Sequence, residues 1–194
     1  MRSNKFEKIR RLTYPSTWYG WRLNLQSRWY TWEKKSLSFF SVILLIPIIV
    51  SITIYQSFES RKVNSEMRCL ALNIYHEARG EPKQGQYAVA EVTMNRVTSK
   101  HFPNTICRVV YEKRWDRIRK RYVGAFSWTE IDSRSKIINK KLMLRAWQIA
   151  KDVYHKNEAE TVKGALFYHA HYIRPSWART KLKITQIGQH IFYR

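Results

Sequence analysis

The sequence predicts an α+β protein: a mainly helical domain with a small C-terminal β-hairpin, preceded by one transmembrane helix. Three observations predict it. Residues 37–55 are uncharged and apolar, apolar side chains recur at helical spacing through most of 66–155, and the chain from 162 onward alternates as strands do.

Composition bounds the rest. The 194 residues suit one globular domain with accessory segments. Lysine and arginine number 36 against 14 acidic residues, a formal charge of +22. That balance implies a polyanionic partner, whether nucleic acid, anionic lipid or an acidic polymer such as cell wall, and charge alone does not choose among them. A hydrophobic content of 44% with 14% aromatics excludes a disordered basic tail.

Residues 1–36 form a basic segment holding Trp18, Trp21, Trp29 and Trp32, as expected of side chains at the headgroup level of a membrane. A docking arm for a cytoplasmic partner is the alternative. Residues 37–55 (LSFFSVILLIPIIVSITIY) span roughly 28 Å as a helix, close to a hydrocarbon core of about 30 Å. Pro47 is tolerated in such a helix. Residues 1–36 carry nine Lys/Arg and two Glu, whereas residues 60–194 carry 27 Lys/Arg and 11 Asp/Glu. The flanking charge favours a cytoplasmic N-terminus and an extracytoplasmic domain, although Arg61, Lys62 and Arg68 weaken the asymmetry. No small-x-small cleavage site follows the run, so it reads as an anchor rather than a cleaved signal. Residues 56–65 read as a linker, with Asn64 and Ser65 as helix caps.

Residues 66–194 read as one domain. A helix over 66–79 places Leu70, Ile74 and Ala78 on one face, and Gly80 with Pro82 stops it. Helices follow over 85–98 (Val89, Val92, Val97), 104–112 (Ile106, Val109, Val110) and 136–155 (Leu142, Ala146, Ile149, Val153). Between the last two lie a basic run, 112–123, and a loop with Phe126, Ser127 and Trp128. The C-terminal stretches 162–169 and 181–193 read as two strands joined by a Pro/Trp-containing loop.

Chemistry points to Tyr75–Glu81, which reads Tyr-His-Glu-Ala-Arg-Gly-Glu. Glu77 falls in the last turn of an apolar helix, where carbonyls lack partners and the macrodipole is negative. A carboxylate there, beside Ile74 and Tyr75, has its charged form disfavoured, and a raised pKa lets a general acid hold its proton at neutral pH. The plainer reading makes Glu77 and Arg79 ordinary helix-end charges. Glu81 is a candidate second carboxylate, with pairing to Arg79 or Lys83 as the alternative. His169, His171 and His190 raise the question of zinc, but no HExxH or comparable pair exists and no metal is expected. Cys69 and Cys107 lie on apolar helices and read as two buried thiols, with a bridge as the alternative in an oxidising compartment.

Residues 69–97 (CLALNIYHEARGEPKQGQYAVAEVTMNRV) begin an ordered set of motifs. Phe102-Pro103, Phe126-Ser127-Trp128, Gly164-Ala165 with Tyr168, Trp177, and Ile187-Gly188 with His190 and Phe192 complete it. Together these resemble the catalytic domain of the spore cortex-lytic type of cell wall hydrolases, over nearly all of residues 67–194. The resemblance implies a lysozyme-like, lytic-transglycosylase-like fold, peptidoglycan as partner, no cofactor, and Glu77 as the acid that cleaves the MurNAc–GlcNAc β-1,4 bond. Ser127, Trp128, Tyr168 and Trp177 become expected cleft residues, and Gln86 and Asn95 expected supports of the site, with Gln86 also a candidate for substrate contact. A single acid suffices if the muramoyl 6-hydroxyl resolves the reaction; water would instead call for a second carboxylate.

The chain departs from the family in places. It has an anchor in place of a secretion signal and a wall-binding domain, His76 where many members have Gly, and a longer basic run at 112–123. Two rival functions compete with glycan cleavage. An amidase would cut between glycan and stem peptide but would want zinc. A basic membrane-tethered binding protein would use Lys113–Arg121, yet the span argues against nucleic acid.

Overall fold

The computed structural model describes residues 18–117, 119–131, 137–156 and 161–194, with side chains from residue 40 onward. The headgroup reading of residues 1–36 therefore lies outside the described side chains. The chain divides into two compact units, residues 1–57 and 58–194.

Helix α1 (Trp18–Ala78) runs unbroken through 61 residues. The linker expected at 56–65 is helical instead. Residues 48–79 contain neither Gly nor Pro, so nothing there interrupts the helix. Asn64 and Ser65 consequently cap no helix start, and Ser65 Oγ donates back to the Lys62 carbonyl at 2.8 Å. In the first unit the apolar side chains are open to their surroundings: Leu44 is 67% and Ile54 64% exposed. An 18-residue window of this helix has a mean hydropathy of 2.0, long and apolar enough to cross a membrane.

In the second unit α1 stops where Gly80 and Pro82 predict. Helices α2 (Lys83–Thr98), α3 (Ile106–Val110) and α4 (Lys140–Tyr154) follow. Thr105 and Asn139 cap α3 and α4, accepting from Arg108 N and Leu142 N. Each helix lies within the stretch expected of it, except that α2 begins two residues earlier. Leu70, Ala71, Ile74 and Tyr75 of α1 pack with Tyr87 and Ala90 of α2, Ile106 and Val110 of α3, Phe126, and Ala146, Ile149 and Ala150 of α4. Each fully buried branched side chain contributes about 1.5–3 kcal/mol.

The strands depart further from expectation. The basic run is a hairpin, β1 (Lys113–Asp116) paired antiparallel with β2 (Arg121–Gly124). Its lysines and arginines mask the Trp115, Tyr122 and Val123 that suit a strand. The C-terminal region holds three strands rather than two: β3 (Phe167–Ala170), β4 (Lys183–Ile187) and β5 (His190–Tyr193), in the antiparallel order β3-β5-β4. The expected strand 181–193 folds back on itself at Gly188, whose φ of +57° suits glycine. One face of this sheet closes a second core with Phe192, Val162 and Ala165 against Ala78, Ala88, Val89 and Val92. The end of α1 and α2 thus lie between α4 and the sheet. Cys69 and Cys107 form a disulfide, with Cα atoms 5.2 Å apart, instead of the two thiols expected.

Candidate active site

Glu77 sits one residue before the end of α1, flanked along the helix by buried Ile74 and Ala78. Strand β3 is an edge of the sheet, and its Tyr168 hydroxyl donates to Glu77 Oε2 at 3.1 Å. Burial raises the Glu77 pKa, opposed first by the Tyr168 hydrogen bond and then by the charge of Arg96. Desolvation is the largest cause, in line with the apolar neighbours noted in the sequence. Burial and the Glu77 charge push the Tyr168 phenol well above its ordinary value, so it remains a donor at neutral pH.

Arg96 of α2 was not singled out from sequence. Its Nε donates to the Leu166 carbonyl at 2.8 Å, and its guanidinium lies over the rings of Phe102 and Phe126, 5.2 and 5.3 Å from their centroids. Burial lowers its pKa, but a guanidinium stays charged. An arginine in the otherwise uncharged stretch 92–98 was the available signal. Glu112 was also missed: Oε1 accepts from Arg114 at 2.9 Å, while Oε2 is buried with no hydrogen-bond partner.

Trp128 is fixed on two sides. Its Nε1 donates to Asn73 Oδ1 at 3.1 Å, and Asn73 in turn donates to Thr93. Its ring stacks on His76, with centroids 4.5 Å apart and planes 17° from parallel. Burial lowers the His76 pKa, so the ring is neutral at pH 7. Ser127 opens the same 3-10 turn and is exposed.

The remaining candidates are placed elsewhere. Glu81 pairs with neither Arg79 nor Lys83. Its Oε2 accepts from Gln189 N at 2.9 Å and its Oε1 lies 3.6 Å from His190 Nδ1, so the carboxylate is turned onto the β4–β5 connection. Gln86 is buried and donates to the Glu81 carbonyl at 2.9 Å. Asn95 donates to the Ala165 carbonyl at 3.0 Å and holds the approach to β3. Trp177 packs on Phe167, His169 and Tyr193, the sheet face opposite Tyr168. Of the expected residues, then, the structure brings Glu77 and Tyr168 together, while Trp128 is held beside the neighbouring His76.

The arrangement is a carboxyl with a raised pKa beneath an edge strand, with one phenol donor and one half-buried cation that stabilise its ionised form. The unit is a mainly helical domain with two small antiparallel sheets and a half-buried acid. Residues 80–193, more than half of the chain, match the family described as Cell Wall Hydrolase, and the chain belongs to that family. The matched stretch begins three residues after Glu77. The chain is similar to the spore cortex-lytic enzyme of Bacillus cereus, with 32% identity over 131 residues, 66% of this chain and 44% of that one. It is also similar to that of Bacillus subtilis, with 49% identity over 49 residues, 25% of this chain and 16% of the relative. The chain thus spans less than half the length of these relatives. Among solved structures, the catalytic domain of the germination-specific lytic transglycosylase SleB from Bacillus anthracis superposes with a TM-score of 0.50 at 30% identity. The superposition covers 66% of this chain and 93% of that one, and the domain has the same fold.

Proposed function

We propose that this chain is a membrane-anchored enzyme that cleaves peptidoglycan glycan strands at the MurNAc–GlcNAc β-1,4 bond, with Glu77 as the single general acid and base. The observation that carries the reading is the half-buried Glu77 carboxyl, held by Tyr168 and shifted upward by desolvation. The protonated carboxyl gives its proton to the glycosidic oxygen as the C1–O bond breaks. The resulting carboxylate, steadied by Tyr168 and Arg96, then takes the proton of the muramoyl 6-hydroxyl as that oxygen bonds to C1. The products are a free 4-hydroxyl and a 1,6-anhydro end. Ser127 and Trp128 are proposed to contact the sugar. Glu81 is proposed to brace the β4–β5 turn, because its oxygens already meet Gln189 and His190.

We further propose that residues 37–55 cross the bacterial inner membrane and leave the domain outside the cytoplasm. The disulfide supports this, since such bonds persist in oxidising compartments.

The test is mass spectrometry of fragments released from purified peptidoglycan by the full chain in detergent. Anhydro-muramoyl ends are expected. Reducing ends alone would mean hydrolysis by water, and cleaved stem peptides would mean an amidase. Glu77→Gln is expected to slow release by about 10²- to 10⁴-fold, and Glu81→Gln by less. The sign of the stability effect follows from the raised pKa. The folded state disfavours ionised Glu77, so the wild type loses stability as pH rises through the folded pKa. Glutamine escapes that loss. Glu77→Gln should therefore melt no lower than wild type at neutral pH, with any advantage vanishing in acid. Near-normal cleavage by a folded Glu77→Gln chain would sink the assignment.

A further inference from the structure

The β1–β2 hairpin is not needed for the chemistry above, yet it is built onto the candidate site. Trp115 and Tyr122 face each other across the strands, with ring centroids 5.3 Å apart, and remain 54% and 64% exposed. Neither belongs to a core cluster. Arg114, Arg119 and Arg121 are paired with Glu112, Asp116 and Glu130. Lys113, Arg117 and Lys120 have no carboxylate partner among the described residues.

The hairpin is rigidly mounted. Ala125 N donates to the Glu112 carbonyl at 2.8 Å, and the Glu130 carboxylate accepts from Gly124 N at 2.6 Å and from Arg121. A side chain at Gly124 would run into the Thr129 hydroxyl. These contacts lock β2 to the 3-10 turn that presents Trp128. On the β1 side, the Arg114 guanidinium lies 4.7 Å from the centroid of Phe102, the ring that also carries Arg96. Aromatic rings lead outward from the residue beside Glu77: His76 stacks on Trp128, and Trp128 meets Tyr111, which is 46% exposed and two residues before β1.

We propose that this hairpin is a glycan-strand arm that holds saccharides beyond the scissile bond on Trp115 and Tyr122 and meets stem-peptide carboxylates with Lys113, Arg117 and Lys120. The inference rests on the proposed function for the identity of the polymer. Sugar rings present C–H faces that stack on aromatic rings, and wall strands carry acidic stems at regular intervals. One polymer therefore supplies both chemistries found on the hairpin. A lipid surface would match the cations, but the continuity of the hairpin with the Glu77 site favours the strand.

Binding, measured without cleavage, separates this proposal from the catalytic one. The full chain carrying Glu77→Gln, in detergent micelles, is titrated against immobilised peptidoglycan strands with and without stem peptides. Trp115→Ala with Tyr122→Ala is expected to weaken binding to both by about tenfold, through loss of two ring contacts. Phe at both positions should restore most of it, which also guards against loss of the hairpin fold. Gln at Lys113, Arg117 and Lys120 should weaken binding only to peptide-bearing strands, and only at low salt. Unchanged affinity in the Ala pair or in the Gln triple variant, or a loss seen only with anionic lipid vesicles, overturns the proposal. Residual cleavage by Glu77→Gln would fault the catalytic reading and leave this measurement standing.

Discussion

Glu77 and Tyr168 are 91 positions apart in sequence and share one hydrogen bond. That bond stabilises the carboxylate, so it works against the burial that raises the Glu77 pKa. In Tyr168→Phe the opposition is removed and the pKa should rise further. The alkaline limb of the rate profile, where the acid loses its proton, should move to higher pH, while the maximal rate falls by about two- to tenfold. A pH–rate profile with an unmoved limb would reduce Tyr168 to packing. Glu77 was legible as a candidate acid, from its place in the last turn of an apolar helix and from the resemblance of the motif around it. The cation beside it was not. Arg96 reads as one more cation in a chain of 36 Lys/Arg, and only the fold shows it enclosed by Phe102 and Phe126. Trp177 lies on the sheet face opposite Tyr168, a placement that an aromatic in a motif does not reveal.

Elements were legible where a residue type commits the backbone. Gly80 and Pro82 marked the end of α1, and the apolar spacing of α4 identified its buried face. Where no such residue stands, expectation failed. Nothing in 48–79 breaks a helix, so α1 continues through the supposed linker, and clustered cations hid β1 and β2. The β4–β5 turn shows how tightly one element depends on another. Gly188 combines a left-handed φ with the close approach of the Glu81 carboxylate, which a side chain there would displace. Gly188→Ala should therefore lower stability by about 1–3 kcal/mol, through backbone strain and a lost brace. Thermal unfolding checks this, and an unshifted Tm would mean that the turn relaxes freely.

At the scale of the whole molecule, the proposed topology joins a cytoplasmic segment, a single span and an outside domain. A reporter that works only outside the cytoplasm, fused after Arg194, should be active, and activity of a cytoplasmic reporter at that point would separate the domain from its wall substrate. The disulfide acts on the same scale. By the chain-entropy account, joining positions 38 residues apart restricts the unfolded chain by about 4 kcal/mol. Its placement has a second effect. Cys69 lies before Glu77 and Cys107 after α2, so the acid, the Glu81 brace and the helix bearing Arg96 all fall within one covalent ring. A protease nick anywhere in that ring would open the loop yet shed neither piece, and the severed strands would stay tied to each other and to α1.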